Sequence, residues 1–520
     1  MTTLARTLAF LLGTLCLAHA APHRSPNILI LYADDLGYGD LGCQNPESKI
    51  PTPHLDRLAA EGLRFTDAHS SSGICTPSRY ALLTGRYHWR KFHGIVNSFE
   101  LPVLDPAELT LAEMLRAQGY RTACIGKWHL GWNWHDLAEP ATAAGVSPPK
   151  SLSSDSFRWD RPLSGGPRSH GFDYYFGDDV PNFPPYAWFE NDRLLTLPST
   201  PLKLQGSPRE GAWETRPGPM TPGWAFDQVV PRLADRTVSW IHEQRDRPGP
   251  FFLYVPFNSP HAPIVPSPEF TGTSRAGAYG DFVTQTDAVV GRILQALEDT
   301  GLARDTLVLF SSDNGPEHYA YDRFRLHGHR SMGPLRGLKR DLYEGGHRVP
   351  LLVRWPGVVK PGRVTPTLIS QVDLLATLAA VTGARPAPGA GQDSLNFLPV
   401  LQGAPRGPRR NLVHNTIAGA YALRHDRWLL IEHRSGSHTA VPDWFQRDQG
   451  FPPHDQPGEL YDLATDLGQK TNLYSARPRQ VAVLRRLLHR LQQTPARNQI
   501  ETPGSTSSPA DTGGSFGNVK

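Results

Sequence analysis

Apolar positions along the chain fall into short continuous runs, interleaved with longer stretches of helical period. The runs at 27–32, 63–68, 121–125, 251–256, 306–310 and 349–355 are bounded by turn residues, and runs of that length read as buried strands. Between them the period shifts. Thr52 stands as cap to a helix predicted over 53–61, with Gly62 closing it. Thr110-Leu111-Ala112-Glu113 is a capping-box pattern opening a helix that ends at Gly119. Helices are also predicted over 229–244 and 371–382. Another, over 279–299, presents Phe282, Val289, Val290, Ile293, Leu294 and Leu297 on one face. Strands alternating with helices predict an α/β class with a large central sheet. A smaller unit is expected from about residue 411, with strands at 421–424, 428–432 and 459–463 and a last helix over 478–493. The expected organisation is thus a large domain over 21–410 and a smaller one over 411–495. The stretch 133–225 has weak periodicity and reads as a long insertion of loops, and 496–520, rich in Ser, Thr, Gly and Pro, reads as a disordered tail. No internal repeat is present.

Composition changes this picture in three places. At 520 residues the chain can bury a large core. The 53 basic and 49 acidic residues give a net charge of +4 without a long basic run, so nucleic acid is not implied as a partner. The start of the chain reads as a secretory leader over 1–20: Arg6, then an apolar run from Leu8 to Leu17, then Ala18-His19-Ala20 as a cleavage site. That run is too short to cross a bilayer, and no later segment is long enough. Cys16 follows Thr14-Leu15, a poor lipobox, so a lipid anchor is not expected. The expected compartment is the periplasm or the cell exterior. The mature chain keeps Cys43, Cys75 and Cys124, which is no disulfide framework; Cys43 and Cys124 either pair or remain two separate buried thiols, the blander reading.

The candidate chemistry sits directly after the predicted strands. Asp34-Asp35 follows the first, and Asp313-Asn314 follows the run at 306–310. Adjacent carboxylates at a strand's C-terminal end are costly without a cation, and that edge is where open α/β sheets bind ligands. Three carboxylates and an amide are hard oxygen donors that suit calcium, with magnesium as the other candidate. Lys127 and His129 follow the strand at 121–125, alternating along an extended segment so that both face one cavity. His261 lies between Pro260 and Pro263 after the run at 251–256. Cys75 precedes a short helix in which Pro77 suits a first helical position. A helix N-terminus stabilises an anion, and Arg79 adds a planar guanidinium fork suited to a tetrahedral oxyanion. Trp134, Trp159, Trp188, Trp213 and Trp224, in or beside the insertion, offer faces for sugar rings or for packing. The stretch 318–329, rich in His, Arg and Tyr, reads as an anion contact or a lid.

Cys75-Thr76-Pro77-Ser78-Arg79 followed by Leu83-Thr84-Gly85-Arg86 resembles the signature of the type I sulfatases. Gly119-Tyr120-Arg121-Thr122 with Gly126-Lys127-Trp128-His129 resembles the second signature. The segments 170–177, 335–346 and 459–463 resemble further family motifs, and 266–270 with 277–281 resembles the arylsulfatase A and N-acetylgalactosamine-6-sulfatase branch. The resemblance covers nearly the whole mature chain. It implies an alkaline-phosphatase-like sandwich and a sulfuric ester hydrolase in which Cys75 is converted to Cα-formylglycine by a formylglycine-generating enzyme. It implies calcium held by Asp34, Asp35, Asp313, Asn314 and the modified residue 75. It places Arg79 beside the nucleophile, Lys127 and Lys339 at the sulfate, His261 at the leaving oxygen, and His129 at the step that releases sulfate from residue 75. A sulfated glycan is the expected substrate. The competing readings are a phosphonate monoester hydrolase or phosphodiesterase with the same site, and a non-catalytic glycan-binding protein on the same scaffold.

Overall fold

The computed structural model describes residues 25–138, 154–202 and 214–494; the leader at 1–20, the tail at 496–520 and Trp213 lie outside them. The strands, in chain order, are β1 (Asn27–Ala33), β2 (Leu63–Phe65), β3 (Ala68–His69), β4 (Arg121–Ile125), β5 (Tyr174–Gly177), β6 (Phe189–Glu190), β7 (Arg193–Leu194), β8 (Thr200–Leu202) and β9 (Gly218–Met220). They continue with β10 (Phe251–Pro256), β11 (Thr306–Ser312), β12 (Leu351–Arg354), β13 (Arg363–Thr365), β14 (Ile369–Ser370), β15 (Asn411–Asn415), β16 (Tyr421–His425), β17 (Trp428–Ile431) and β18 (Glu459–Asp462).

Ten strands form one mixed sheet in the order β13-β2-β12-β11-β1-β10-β4-β5-β6-β7. Its centre is parallel: β1 lies between β10 and β11, with Tyr32 level with Pro256 and Ala33 level with Ser312. All three strands therefore end at one edge. The side chains of these strands alternate between two cores, because successive residues of a strand point to opposite faces. Ile28, Ile30, Tyr32, Phe252 and Leu309 pack with the helices Cys75–Thr84, Leu111–Ala117 and Leu374–Thr382. Leu29, Leu31, Leu253, Val308 and Phe310 pack with Pro53–Ala60, Val229–Glu243 and Gly277–Asp299. This is the expected sandwich. The predicted apolar face of the 279–299 helix is buried throughout. The small antiparallel sheet β15-β16-β17-β18 is covered by the helix Pro478–Gln493, which has the predicted bounds; β15 was not read from the sequence.

Several local expectations are corrected. The run at 63–68 splits into β2 and β3, which belong to different sheets. Thr110 and Glu113 form the predicted capping box, but Thr52 does not cap its helix: its hydroxyl binds Gly42 N and Asp56 Oδ1 instead. The buried carboxylate of Asp287, on a helix 233 residues away, takes the free amides of His54 and Leu55 at 3.1 and 2.8 Å. Asp287→Ala is expected to lower stability by about 1–2 kcal/mol, the usual loss for a removed cap, and Asp287→Asn by less; equal urea midpoints for wild type and Asp287→Ala would refute the assignment. Cys43, Cys75 and Cys124 are all free thiols, in keeping with the unpaired reading.

Four described tryptophans in or beside the insertion pack against other rings. Trp134 stacks on Phe157, Trp159 meets Phe157 edge-on, and Trp188 stacks on Phe176 with Trp224 against it. The same stretch buries His170, stacked on Trp128 with its Nδ1 unbonded, and burial lowers its pKa to about 4. The unfolded chain binds a proton near pH 6.5 that the folded chain refuses, so stability falls as pH drops from about 6.5 to 4, by up to about 1.4 kcal/mol per pH unit. His170→Phe should flatten that slope in urea melts at pH 5 and 7; an unchanged slope would count against it.

Candidate active site

The shared edge of β1, β10, β11 and β4 gathers the predicted residues. Asp34 and Asp35 leave β1, Asp313 and Asn314 leave β11, His261 follows β10, and Lys127 follows β4. The strand ends are laced together: Asp313 N donates to Ala33 O at 3.1 Å, and Asp34 N to Ser259 O at 3.1 Å. Gly126 makes the turn out of β4. Its φ is 135°, and a Cβ there would fall 1.9 Å from Pro256 O, so only glycine fits. His129 is not extended as expected. Its φ is 55°, fixed by its amide donating to Asp179 Oδ1 at 3.1 Å and its carbonyl accepting from Thr76 Oγ1 at 2.9 Å.

Cys75 is the first residue of the helix Cys75–Thr84, which starts two residues earlier than Pro77 suggested. Pro77 is then the third residue, still among the positions whose N–H has no helical partner. Cys75 Sγ points at Asp34 Oδ1, 3.6 Å away. Position 75 carries its encoded thiol here, and burial and Asp313 push that thiol well up. A reactive cysteine needs the opposite shift.

Arg79 does not present its fork to an open cavity. It is buried, with Nε and Nη2 on Asp313 Oδ2 at 3.2 and 2.9 Å, Nη2 also 3.5 Å from Asp34, and Nη1 on Lys127 O at 3.3 Å. Lys127 Nζ binds Asp34 Oδ2 at 2.5 Å and Lys339 Nζ binds Asp35 Oδ2 at 2.7 Å. Three carboxylates thus face three cations, and the net −3 expected from the acids alone does not arise. Burial pulls the Asp34 carboxyl up, but Lys127, Arg79 and Lys339 together outweigh it and hold it low. Burial wins at Asp35, and burial with the charge of Asp34 wins at Asp313; both are raised.

The case for a bound cation therefore rests on the donor set. Asn314 Nδ2 is committed to Asp35 Oδ1 at 2.7 Å and to Gly315 O, which leaves Asn314 Oδ1 buried without a partner. Donor atoms of Asp34, Asp35, Cys75 and His261 lie within 4.8 Å of one another. Buried carboxylates beside an orphaned amide oxygen are what a hard divalent ion takes.

The two histidines are in different states. His261 Nδ1 bonds Ala262 O at 2.6 Å, leaving Nε2 3.6 Å from Asp35; burial and Lys339 lower its pKa to about 3. His129 Nε2 bonds Val96 O at 3.0 Å, which leaves Nδ1 as an unbonded lone pair; burial, Lys127 and Arg79 keep the ring neutral. The structure adds residues that sequence reasoning passed over. Glu317 is buried against Lys339 at 3.4 Å and bonded to Arg340, and Asp178 accepts both contacts from Asn258 Nδ2. Glu317 lay three residues past Asn314 in the same loop; Asp178 had no signal beyond following β5.

The Sulfatase family model matches residues 26–384, and a model described as N-sulphoglucosamine sulphohydrolase, C-terminal, matches residues 338–497. An N-acetylgalactosamine-6-O-sulfatase of Bacteroides thetaiotaomicron is 34% identical, with 89% of this chain and 93% of that protein covered. Human arylsulfatase A is 35% identical, with 88% and 85% covered. A solved sulfatase structure from work on glycosaminoglycan metabolism by B. thetaiotaomicron superposes with a TM-score of 0.75 at 30% identity, covering 91% of this chain and 100% of its own. The phosphonate monoester hydrolase of Agrobacterium radiobacter, at 19% identity and a TM-score of 0.55, shares the fold. The chain belongs to the sulfatase family, in its arylsulfatase A and N-acetylgalactosamine-6-sulfatase-like branch, and is a sulfuric ester hydrolase.

Proposed function

We propose that this sulfatase removes sulfate from a sulfated glycan, using Cα-formylglycine at position 75 and one calcium ion, and that it works in the periplasm or outside the cell. The observation that carries the reading is Cys75 at a buried helix N-terminus, its Sγ 3.6 Å from Asp34 among three carboxylates and three cations. A thiol held protonated there attacks nothing, so its place at the centre is best explained by modification. The glycan is favoured by two of the sulfatases compared above, one an N-acetylgalactosamine-6-O-sulfatase and the other from work on glycosaminoglycan metabolism.

When present, the aldehyde hydrate and the ion supply the nucleophilic oxygen in its ionised form. Asp34, Asp35, Asp313 and Asn314 hold the ion, and Arg79 keeps Asp313 and Asp34 fixed beside it. Lys127 and Lys339 balance the sulfate oxygens as charge shifts in the transition state. His261 acts on the departing oxygen through Nε2, which first takes up a proton because Nδ1 already holds the ring's hydrogen against Ala262 O, and His129 offers its free Nδ1 lone pair as a base for releasing sulfate. All of these groups belong to the large domain, 21–410, which precedes the smaller one, 411–495. Maturation requires a formylglycine-generating enzyme. Among the described residues no helix is long and apolar enough to cross a membrane.

The test is mass spectrometry of the tryptic peptide 65–79 from protein made in its native host, followed by a panel of sulfated mono- and disaccharides. Expected are an aldehyde in place of the thiol, and a kcat/KM for a sulfated sugar above that for a steroid sulfate or a phosphate diester. An unmodified thiol in active enzyme would overturn the nucleophile. Turnover of the steroid sulfate or the diester with none of any sulfated sugar would overturn the substrate class.

A further inference from the structure

A second cluster of metal-ligating side chains lies outside this site. His69 on β3, His347 at the end of the short helix Glu344–His347, and His414 on β15 meet where the large sheet's helical layer joins the antiparallel sheet. All three are buried, and one ring nitrogen from each lies within 4.8 Å of the others.

The hydrogen bonds of the first two rings fix their tautomers. His69 Nε2 meets Asp67 Oδ1 at 2.8 Å, and His347 Nε2 meets Leu342 O at 3.3 Å. An ionised carboxylate and a carbonyl only accept, so both Nε2 atoms carry the hydrogen. In neutral rings the two Nδ1 atoms are then bare lone pairs, yet they face each other at 3.0 Å. Two acceptors at that distance repel unless a cation lies between them. Either a proton or a metal ion would meet that need, and the third ring gathered at the same point favours the metal. Two nitrogens each about 2.0–2.1 Å from one tetrahedral zinc stand roughly 3.3 Å apart, close to the observed spacing.

His414 completes the set. Neither of its ring nitrogens has a hydrogen-bond partner, although the Ser71 carbonyl lies close by. Its ring lies flat on His347, with centroids 3.3 Å apart and 15° between planes. Parallel rings do not aim their lone pairs at one point, so His414 must turn about its Cβ–Cγ bond to become a third ligand. The surroundings match a metal's outer shell, where a ligating histidine donates its other N–H to a carboxylate or carbonyl. The acids beside it are already neutralised: Arg424 and Arg348 pair with Asp67 at 2.9 and 3.3 Å and with Glu344 at 3.2 and 3.0 Å. The imidazoles are left as the uncommitted donors, and an imidazole set selects zinc or a similar transition metal over calcium.

We propose that His69, His347 and His414 form a buried site for one transition-metal ion, zinc by its ligand chemistry, that fastens the C-terminal sheet to the catalytic body. It is independent of the ion at Asp34, Asp35, Asp313 and Asn314. A site so enclosed is loaded during folding. The full chain is therefore produced in zinc-supplemented and in cobalt-supplemented medium, dialysed against EDTA, returned to excess calcium and analysed for metal. Wild type is expected to retain about one zinc per chain, and His347→Ala and His414→Gln less than about a tenth of that. Wild type without retained metal overturns the proposal, as does either variant with wild-type content. If neither variant folds, X-ray absorption of the wild-type cobalt protein decides: scattering from three imidazoles supports the site, and a shell of oxygens alone overturns it.

Discussion

Cys75→Ala is expected to reduce turnover of a sulfate ester by on the order of 10⁵-fold, to background, while leaving the fold intact and the ion held, more weakly, by its four other ligands. The reasoning is geometric. Residue 75 takes part in none of the ion pairs of the cluster, and it sits at the helix N-terminus against Asp34 Oδ1. The charged groups around it are bonded to one another, Arg79 to Asp313, Lys127 to Asp34 and Lys339 to Asp35. Removing one sulfur from this frame breaks no ion pair, so stability should change by no more than about 1 kcal/mol. Activity should collapse because no other residue in the frame supplies a nucleophile. Kinetics on a chromogenic sulfate ester, with calcium titration and urea melts of the same preparations, checks each part. Activity within about tenfold of wild type would show that residue 75 is not the nucleophile; lost activity together with lost calcium binding would assign it a mainly structural role.

Arg79→Ala should be the most damaging change to stability. Its guanidinium bonds Asp313 twice, stands 3.5 Å from Asp34 and holds the Lys127 carbonyl, all out of contact with water. Breaking a buried ion pair by deleting one partner costs about 3–5 kcal/mol, because the remaining charge is left uncompensated. Arg79→Lys should recover only part of this, since an ammonium cannot reproduce the planar fork that puts two N–H groups on Asp313 Oδ2 and a third on the Lys127 carbonyl. Calcium provides the discriminating measurement. If Asp313 and Asp34 are ion ligands, freeing them from the guanidinium tightens their hold on calcium, and each tenfold gain in affinity over wild type offsets about 1.4 kcal/mol of the loss. The loss should therefore be smaller in calcium than in EGTA. Equal losses in both would separate Arg79 and its carboxylates from the ion site.

The sequence by itself determined the chemistry and its approximate address. Five of the main strands were legible as apolar runs, since a strand buried on both faces has few other ways to be written. The acids after β1 and β11, the lysine after β4 and the histidine after β10 were each legible as polar groups at a strand's end. The capping box at Thr110 and the helix Pro478–Gln493 were legible because their signals lie within one or two turns of the chain.

Tertiary structure alone decided who meets whom. Parallel register set the ends of β1, β10 and β11 level, and only then did Asp34, Asp313 and His261 become neighbours. It gave the helix at 53–60 its cap from Asp287, turned Arg79 from an open fork into the brace of Asp313, and placed His129 at a positive φ through Asp179. It also cancelled the charge inferred from the acids alone by bringing in Lys339, 304 residues from Asp35. The physical reason is the same each time. A local pattern reports whether a residue is buried and in which kind of element, whereas the energy of a buried charge depends on partners hundreds of residues away.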